Sequence, residues 1–372
     1  MMEKKKIAII GTHGIPPRYG GFETFADELS NFLVCRNFEV FVQCENINLE
    51  ETEYHNVKLV YSSVRKSQRP FRYYFEGSIW ALKNADIILY TGTIGSIFYF
   101  LKFFYPGKIL ITNTDGLEHR RSKWPRYIRI FLKISEAMAV HFSDYVIADS
   151  EAIGKYLLKS YRFPIKKLKV IEYGAHLNNE INFAVLTKFS LIHQQYYLVV
   201  CRLEPENNLH IILEGYEKSG SRYPLLIVGN ILENKYNKDL VKRYSSGNIR
   251  FIGGIYDKAE LKALRYSCRG YVHGHSVGGT NPSLLEGMAS SNLVICHNNQ
   301  FNREVTESAQ FYFDSVSDVM ELICMVDNLS DEEIKFYGEL SRKRIETYYN
   351  WEMIGNKYIS LMNEIGVNTG QS

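Results

Sequence analysis

The chain has 372 residues, of which 45% are hydrophobic and 23% are charged, and its formal net charge is +3. This length predicts two or three domains, the composition excludes a disordered or fibrous protein, and so small a charge does not by itself indicate nucleic-acid binding. The six cysteines form none of the zinc or disulfide patterns, which predicts reduced thiols in a cytoplasmic protein and no metal framework. The most apolar stretch, 94–111, contains Lys102, Pro106 and Lys108, so it is not expected to span a membrane.

Short apolar runs alternate with helical patterns along the whole chain. They predict strands at 6–10, 38–44, 57–61, 86–91, 108–112, 145–149, 168–172, 196–201, 224–229, 249–252, 270–274, 292–297 and 309–313. Because most of these runs lack polar alternation, they are typical of parallel strands buried on both faces. The alternation predicts an α/β fold with doubly wound sheets.

The predicted strands are too many for one such sheet, and the polar stretch 177–195 is the best candidate for a boundary. We expect a Rossmann-like N-terminal domain at 1–180, a Rossmann-like C-terminal domain at 181–348 and a final helical segment at 349–372. Doubly wound sheets bind ligands beyond the carboxyl ends of their strands. Two such domains are therefore expected to face each other across a ligand-binding cleft.

A glycine-rich segment, 11–23, follows the first strand and opens the first helix. The backbone at Gly20 and Gly21 can approach an anion there, at a helix N-terminus, and Arg18 lies between two glycine pairs. The segment lacks the G-x-G-x-x-G spacing of dinucleotide sites, which places a dehydrogenase last among the alternatives. The other interpretation is a plain turn.

A second polar segment, 113–121, follows the strand at 108–112. Asp115 and His119 are candidates for placing an acceptor or the proton of a leaving group, and the alternative is a solvated loop with a turn at Asp115. The helix after it interleaves basic and aromatic residues, a pattern that suits an anionic membrane surface. A solvated helix with its aromatic residues in the core is equally compatible with this pattern. The candidate acceptor and membrane residues are Arg18, Arg120, Arg121, Trp124, Arg126 and Arg129.

The second half contains a candidate anion site. Arg202 ends the strand at 196–201, where its guanidinium could bind diphosphate, and the alternative is a surface arginine. The segment 273–289 reads as strand, glycine loop and helix, with Asn281 as N-cap and Pro282 at the first helical position. Its amides would face an anion or sugar hydroxyls, and Glu286 would accept a hydrogen bond from a ribose. His273 and His275 lack a third metal ligand, so hydrogen bonding is favoured over a metal.

These segments together resemble the GT-B glycosyltransferases of the large retaining family four, over about residues 5–315. The matching pieces are Gly20–Gly21, 143–151, 170–174, Arg202 and 285–289. The resemblance implies a GT-B fold in which Arg202 binds the donor diphosphate and Glu286 binds the donor ribose. Together with the residues of the glycine loop, the set expected to contact the donor is Gly20, Gly21, Arg202, Asn207, His275, Gly279, Thr280, Asn281 and Glu286, in which His275 and Thr280 are our own assignments and not implied by the resemblance.

More narrowly, 11–24, 113–118 and 273–284 resemble the capsule-type rhamnosyltransferases. This resemblance implies a dTDP-L-rhamnose donor, a lipid-linked oligosaccharide acceptor at the inner membrane face and a terminal helix that crosses back to the first domain. The chain departs from the wider family at two positions. Asn207 stands where that family has a phosphate-binding lysine, and Gly278 stands where it has the first glutamate of a pair.

We therefore expect a retaining, metal-independent hexosyltransferase that works in capsule, O-antigen or exopolysaccharide synthesis. It is expected to use a nucleotide-sugar as substrate, to need no cofactor, to bind no nucleic acid and to lie in the cytoplasm against the inner face of the membrane. Catalytic roles are expected for Asp115, His119 and Arg202. The alternatives are a transferase with a UDP or GDP donor, a GT-B-type sugar-nucleotide epimerase, and a non-catalytic nucleotide-sugar sensor.

Overall fold

The computed structural model describes residues 4–17, 20–46, 51–114, 116–121, 124–177, 181–245, 247–307 and 309–368. The chain forms two compact units. The first unit comprises Met1–Tyr173 together with Trp351–Ser372, and the second comprises Gly174–Asn350.

The first unit is built on a sheet with the strand order β3-β4-β2-β1-β5-β6-β7-β8. Its strands are β1 (Lys6–Ile10), β2 (Glu39–Cys44), β3 (Glu53–Tyr54), β4 (Val57–Tyr61), β5 (Ile87–Thr91), β6 (Ile109–Asn113), β7 (Tyr145–Ala148) and β8 (Leu168–Val170). All pairs are parallel except β3 with β4. The central strands are buried along most of their length, which is why their sequences are nearly continuous apolar runs.

Helices cover both faces of this sheet, as the doubly wound pattern requires. They are α1 (Gly21–Val34), α2 (Pro70–Asn84), α3 (Arg126–Phe142) and α4 (Glu151–Tyr161), with 3-10 segments at Ile94–Phe104, Glu118–Arg120 and Ile165–Lys167. Ser150 caps α4 by accepting a hydrogen bond from the backbone N–H of Ile153.

The C-terminal helix, Trp351–Asn368, packs on the first unit. Its Tyr358 ring lies 5.7 Å from the ring of Phe25 in α1, and the Tyr358 hydroxyl accepts a hydrogen bond of 3.2 Å from the Asn113 amide. Lys357 of the same helix forms an ion pair with Glu172, which follows β8. The helix therefore completes the core of the first unit although it is remote in sequence.

The second unit contains a parallel sheet with the order β11-β10-β9-β12-β13-β14. Its strands are β9 (Tyr197–Val200), β10 (Leu225–Val228), β11 (Ile249–Gly253), β12 (Gly270–His273), β13 (Val294–His297) and β14 (Phe311–Phe313). Its helices are α5 (Ala184–Lys188), α6 (Leu209–Ser219), α7 (Lys235–Tyr244), α8 (Lys258–Ser267), α9 (Pro282–Ala289), α10 (Gln300–Thr306), α11 (Val316–Asp327) and α12 (Asp331–Arg344), with a 3-10 turn at Pro205–Asn207 and a π turn at Ile345–Tyr349. Ser315 and Ser330 each form a capping box with an acid three residues on, which fixes the starts of α11 and α12.

Every strand predicted from the sequence is present, with ends that differ by at most two residues. The two-residue strand β3 was not predicted because it is too short to give a period-two pattern. The apolar stretch after β5 forms a 3-10 segment, and within the described ranges no helix is long and apolar enough to cross a membrane.

Candidate functional site

In the first unit, the loop after β1 is folded tightly against the ends of β2 and α2. Gly11 donates a backbone hydrogen bond to Gln43, and the Tyr73 hydroxyl donates one of 2.8 Å to the Thr12 carbonyl. Gly11 and Gly14 have φ values of +98° and +116°, and a Cβ at either would lie within 3 Å of other atoms. Only glycine fits both conditions, so this loop is a preformed backbone turn at the carboxyl end of β1.

A histidine–carboxylate pair that the sequence analysis did not single out lies in this loop. The His13 Nδ1 is 2.9 Å from an oxygen of Glu45, which is buried and also accepts a 2.7 Å hydrogen bond from the backbone N–H of Lys66. The His13 backbone N–H donates to Glu23. His13 itself is about half exposed. Its ring is thus oriented by a desolvated carboxylate while its other edge faces outward.

Gly20 and Gly21 mark the start of α1, as predicted. Gly20 has a φ of +124°, and a Cβ there would lie 2.2 Å from a carboxylate oxygen of Glu23. The glycine therefore leaves room for an acidic side chain at the helix N-terminus. The phosphate contact expected of these two glycines stays a prediction, and Arg18 lies outside the described residues.

The segment after β6 forms hydrogen bonds with other residues of the first unit. The Asn113 carbonyl accepts a 2.8 Å hydrogen bond from the Gly92 backbone N–H. Asp115, a predicted catalytic residue, lies outside the described residues. His119 is described, and its Nδ1 lies 3.2 Å from Glu136 while its Nε2 lies 3.4 Å from the Tyr156 hydroxyl.

Glu136 is the centre of this cluster and is buried in α3. One of its oxygens accepts hydrogen bonds of 2.9 Å from Tyr156 and 2.6 Å from Tyr161. Burial, together with the hydrogen bond to Glu136, raises the pKa of Tyr161 well above its ordinary value, so the hydroxyl remains a donor. Because both ring nitrogens of His119 contact groups of the same unit, the geometry favours a role in holding the segment 116–121. Its catalytic role stays a prediction.

The predicted basic residues occupy the surface beside this cluster. The Arg120 guanidinium lies 5.0 Å from the Tyr156 ring centroid, and Arg121 pairs with Glu118 at 2.8 Å. Glu118 also accepts a hydrogen bond of 2.8 Å from the Trp124 indole. Arg126 and Arg129 are exposed, and Arg129 donates to the His119 carbonyl.

A large exposed apolar area adjoins these arginines on α2, α3 and the 3-10 segment. We call it the aromatic surface, and its members are Phe71, Phe75, Phe100, Phe103, Phe104, Tyr127, Ile130 and Ile134. Phe103 is 79% exposed and Phe104 is 74% exposed. The ring of Phe71 contacts Phe131 of α3, and the ring of Phe75 contacts Phe98 of the 3-10 segment. These two ring contacts join α2 to α3 and to the 3-10 segment, and exposed apolar residues grouped in this way mark interaction sites.

In the second unit, Arg202 follows β9 directly. Its guanidinium is about half exposed and lies 3.7 Å from Glu204. Asn207 is buried, and its amide nitrogen donates a 2.7 Å hydrogen bond to the Arg202 carbonyl. The Asn207 amide oxygen lies 2.8 Å from Nδ1 of His275, which follows β12. Arg202, Asn207 and His275 therefore come together at the carboxyl ends of β9 and β12.

The glycine loop 278–281 leads from there into α9. Gly278 has a φ of +110°, and the loop residues Gly279 and Thr280 are buried. Asn281 caps α9 by accepting a hydrogen bond of 2.9 Å from the Ser283 backbone N–H, and Pro282 occupies the first helical position as predicted. The first turn of α9 contains no acidic residue, so its positive end is available to an anion.

Glu286 lies one turn into α9 and has a partner that the sequence did not reveal. Its carboxylate is 2.5 Å from the Arg265 guanidinium, which is 9% exposed and comes from α8. Such a buried arginine orients the carboxylate. Gly287, the next residue, stands where the family motif has alanine, and a Cβ there would lie 2.6 Å from the Tyr271 ring.

His273 lies under this site with its Nε2 buried and without a hydrogen-bond partner. Burial, with a smaller contribution from His275 and His297, lowers the pKa of His273 to about 3, so the ring is neutral near pH 7. In the described part of the chain, no group of three or more His, Cys, Asp or Glu residues is arranged to hold a metal ion.

Comparison with known families agrees with the two-unit division. Residues 188–351 match the family model described as Glycosyl transferases group 1. The second unit is thus similar to this family over most of its length. Residues 4–176 match a second model, described as a domain of unknown function (DUF1972). The site at the ends of β9 and β12 thus lies within the residues that match the group 1 model.

One curated relative and several solved structures are similar. O-antigen chain mannosyltransferase B of Escherichia coli is 31% identical over 120 residues, and the match covers 31% of each protein. The chain thus spans about a third of the length of the curated relative it matches.

The structural matches cover nearly the whole chain. Sucrose-phosphate synthase from Thermosynechococcus elongatus has a TM-score of 0.81 at 15% identity, covering 98% of this chain and all of that one. Anabaena HepE in complex with UDP has a TM-score of 0.74 at 14% identity, covering 97% of this chain and all of that one. These likenesses confirm the predicted GT-B fold of two Rossmann-like units.

Proposed function

We propose that the protein is a glycosyltransferase of polysaccharide synthesis that moves a sugar from a nucleotide-sugar donor to a glycan acceptor. The observation that carries this proposal is the site of the second unit, where Arg202, the glycine loop 278–281 and Glu286 lie at the carboxyl ends of β9 and β12. Open α/β sheets bind ligands at this edge. The proposal is also supported by HepE, whose structure is in complex with UDP.

Each part of this site has a distinct task in the proposed reaction. Arg202 binds the diphosphate, and the loop amides with the N-terminus of α9 bind the same anion. Glu286, oriented by Arg265, accepts hydrogen bonds from the ribose. As the sugar leaves, negative charge develops on the diphosphate, and these fixed cations and dipoles stabilise it without a metal ion.

The donor we propose is dTDP-L-rhamnose, transferred with retention to a lipid-linked oligosaccharide. Its support is the resemblance of 11–24, 113–118 and 273–284 to the capsule-type rhamnosyltransferases. The second candidate is a mannosyl donor, which the Escherichia coli mannosyltransferase relative favours. A UDP donor and a sugar-nucleotide epimerase remain alternatives, and conversion of the donor without an acceptor would identify the epimerase.

A donor screen by thermal shift tests the proposal. The protein is mixed with dTDP, UDP, GDP and their sugars, and ligand at about 100 times its Kd stabilises a protein by about 2.7 kcal/mol. A shift with dTDP and dTDP-rhamnose alone supports the proposed donor, and a shift with another nucleotide replaces it. If no nucleotide shifts the transition, the assignment of the donor site is wrong.

Substitution of Arg202 tests its role directly. Arg202→Ala is expected to lower kcat/KM by about 10- to 100-fold, because a hydrogen bond to a charged group contributes about 1.5–3 kcal/mol. Arg222→Ala, which removes an exposed arginine of the same unit, is the matched control. A loss below about threefold for Arg202→Ala, under about 0.7 kcal/mol, would contradict the phosphate assignment.

We also propose that the first unit lies against an anionic membrane. The sequence 120–134 contains six basic residues and no acid, and α3, which holds Arg126, Arg129 and Lys133, also contributes to the aromatic surface. Basic residues contribute about 1 kcal/mol each near such a membrane, and a buried Phe contributes about 1.5–3 kcal/mol. A lipid-linked acceptor would be reached from this position.

Vesicle sedimentation tests the membrane contact. Arg126→Glu with Arg129→Glu should weaken binding to phosphatidylserine vesicles at low salt, and Phe103→Ser with Phe104→Ser should weaken it at any salt. The matched control reverses two exposed charges of the second unit, Lys235 and Lys242. Equal binding by all variants would refute the proposed surface.

A further inference from the structure

The ring of His13, in the first unit, is fixed by one of its two nitrogens. Nδ1 lies 2.9 Å from an oxygen of Glu45, and the same oxygen accepts a 2.7 Å hydrogen bond from the backbone N–H of Lys66. A carboxylate oxygen accepts and does not donate, so Nδ1 carries a proton. Among the described residues this is the one polar contact of the ring, and the side chain is 46% exposed. The second nitrogen, Nε2, is therefore the atom that can bind a ligand.

The backbone at His13 is held separately from the ring. Its N–H donates a 2.9 Å hydrogen bond to Glu23 of α1, and its carbonyl accepts one of 3.1 Å from the backbone N–H of Glu45. The Lys66 ammonium donates a 2.6 Å hydrogen bond to the Gly11 carbonyl in the same loop. The imidazole is thus in place before a ligand arrives, which lowers the entropic cost of binding to it.

His13 lies at the point of the first sheet where a ligand is expected. β1 stands between β2 and β5, and the chain runs from β1 outwards through β2 and β4 before it returns to β5. The strand order therefore reverses at β1, and open α/β sheets bind ligands beyond the carboxyl ends of the strands at such a reversal. The proposed donor site occupies the corresponding reversal of the second sheet, between β9 and β12. The position of His13 is thus that of a second substrate site.

The charges around His13 favour a neutral ligand. The two side chains that contact it, Glu23 and Glu45, are both acidic and buried. They would repel a phosphate. A hydroxyl is neutral and both donates and accepts, so it can form a hydrogen bond with Nε2 whether or not that nitrogen carries a proton. This place therefore suits a sugar hydroxyl better than a phosphate.

We propose that His13 is a sugar-binding residue whose Nε2 forms a hydrogen bond with a saccharide hydroxyl, and that Glu45 is a positioning residue that fixes its ring. This inference rests on the proposed function, which involves two saccharides, the donor sugar and the glycan acceptor. Because the donor nucleotide is assigned to the second unit, we assign the hydroxyl to the acceptor.

Steady-state kinetics of sugar transfer test the contact of His13. Labelled dTDP-L-rhamnose is the donor probe, and membranes of source cells deleted for this gene supply the lipid-linked acceptor. His13→Phe keeps a flat ring without the polar edge, so it should raise KM for the membranes about 3- to 10-fold, the range for one hydrogen bond between uncharged groups. KM for the donor should change less than about twofold.

Two further variants control this measurement. His13→Gln places an amide near the position of Nε2 and should recover part of the loss, because an amide also binds a hydroxyl. His55→Asn removes an exposed histidine of the same unit and should leave both Michaelis constants unchanged. Asparagine is chosen because residue 55 has a φ of +50°, which asparagine tolerates.

Two substitutions of Glu45 test its positioning role. Glu45→Gln keeps an oxygen that accepts from Nδ1–H and should retain the wild-type KM for the membranes, whereas Glu45→Leu should raise it as His13→Phe does. Nitrogen NMR near pH 9, above the ordinary pKa of histidine of about 6.5, reports the tautomer without substrate. The wild type and Glu45→Gln should show His13 protonated on Nδ1, and Glu45→Leu should show a mixture. The wild-type spectrum tests this point even if Glu45→Leu does not fold.

The outcomes separate this inference from the proposed function. If His13→Phe and His55→Asn give the same two Michaelis constants, the sugar contact is wrong while the proposed function stands. A rise in KM for the donor alone assigns the hydroxyl to the donor sugar. If the wild-type ring carries its proton on Nε2, or Glu45→Leu keeps a pure Nδ1–H form, the positioning role of Glu45 is wrong. If the wild type transfers no sugar, the proposed function itself fails, and the sugar contact fails with it.

Discussion

Removing the Glu136 carboxylate should destabilise the first unit strongly. Glu136 is 4% exposed and contacts Tyr156, Tyr161 and His119. A hydrogen bond to a charged group contributes about 1.5–3 kcal/mol, so the two tyrosine contacts alone account for about 3–6 kcal/mol. Both tyrosines are partly exposed, so their hydroxyls can donate hydrogen bonds to water once the carboxylate is removed. We therefore expect Glu136→Ala to lower the free energy of unfolding by a value near the lower end, about 3 kcal/mol.

Tryptophan fluorescence during urea unfolding is the appropriate assay, because Trp80, Trp124 and Trp351 all belong to the first unit. The signal follows that unit even if the two units unfold separately. A loss of about 3 kcal/mol corresponds to a fall in Tm of about 6–12 °C for a unit of this size.

Two further variants make the result interpretable. Glu136→Gln keeps one accepting oxygen and should cost less than Glu136→Ala. Glu364→Ala removes a half-exposed partner of Lys169 in the same unit and should cost less than about 1 kcal/mol, as surface ion pairs do. If Glu136→Ala costs no more than this control, the cluster does not hold the segment 116–121, and the structural role assigned to His119 is wrong.

Three predictions concern the second unit. Gly287→Ala places a Cβ 2.6 Å from the Tyr271 ring, which overpacks the site, while alanine also favours the helix more than glycine does. The net effect should lower the free energy of unfolding of the protein, measured in urea, by about 1–2 kcal/mol. Because burial lowers the pKa of His273 to about 3, the unfolded chain binds a proton at higher pH than the folded one. Stability should therefore fall as pH drops from about 6.5 towards 3, by at most about 1.4 kcal/mol per pH unit, and circular dichroism should show less of this fall in His273→Leu. Arg265→Met leaves Glu286 without its partner and should weaken nucleotide binding about tenfold in calorimetry, the loss of about one hydrogen bond.

The sequence predicted the strands well and the pairs between distant residues poorly. Each parallel strand is marked by a short apolar run, because it is buried on both faces. His13 and Glu45 are 32 positions apart, and they meet only because β1 and β2 are neighbours, with Ile9 opposite Val42. Strand order is not contained in the hydrophobic pattern, so this pair could not be predicted from it.

The helix α3 shows why the pattern left two interpretations open. Leu132, Ala139 and Val140 are buried, as a core-facing helix requires. Tyr127 and Ile130 are 71% and 55% exposed, as an interaction surface requires. Apolar residues lie on both faces, and a sequence period cannot tell which of two apolar faces is covered.

The two departures from the wider family's pattern, Asn207 and Gly278, both lie beside one side chain, His275. Nδ1 of His275 binds the Asn207 oxygen, and Nε2 lies 3.6 Å from the Cβ position of Gly278. A lysine at 207 could only donate, so Nδ1 of His275 would have to accept in its place and the ring proton would have to lie on Nε2. A glutamate at 278 would be strained at a φ of +110°, although its Cβ would make only an ordinary contact with Nε2. Asn207 therefore suits the hydrogen bond to this ring, and Gly278 suits the backbone conformation beside it, each for a separate physical reason.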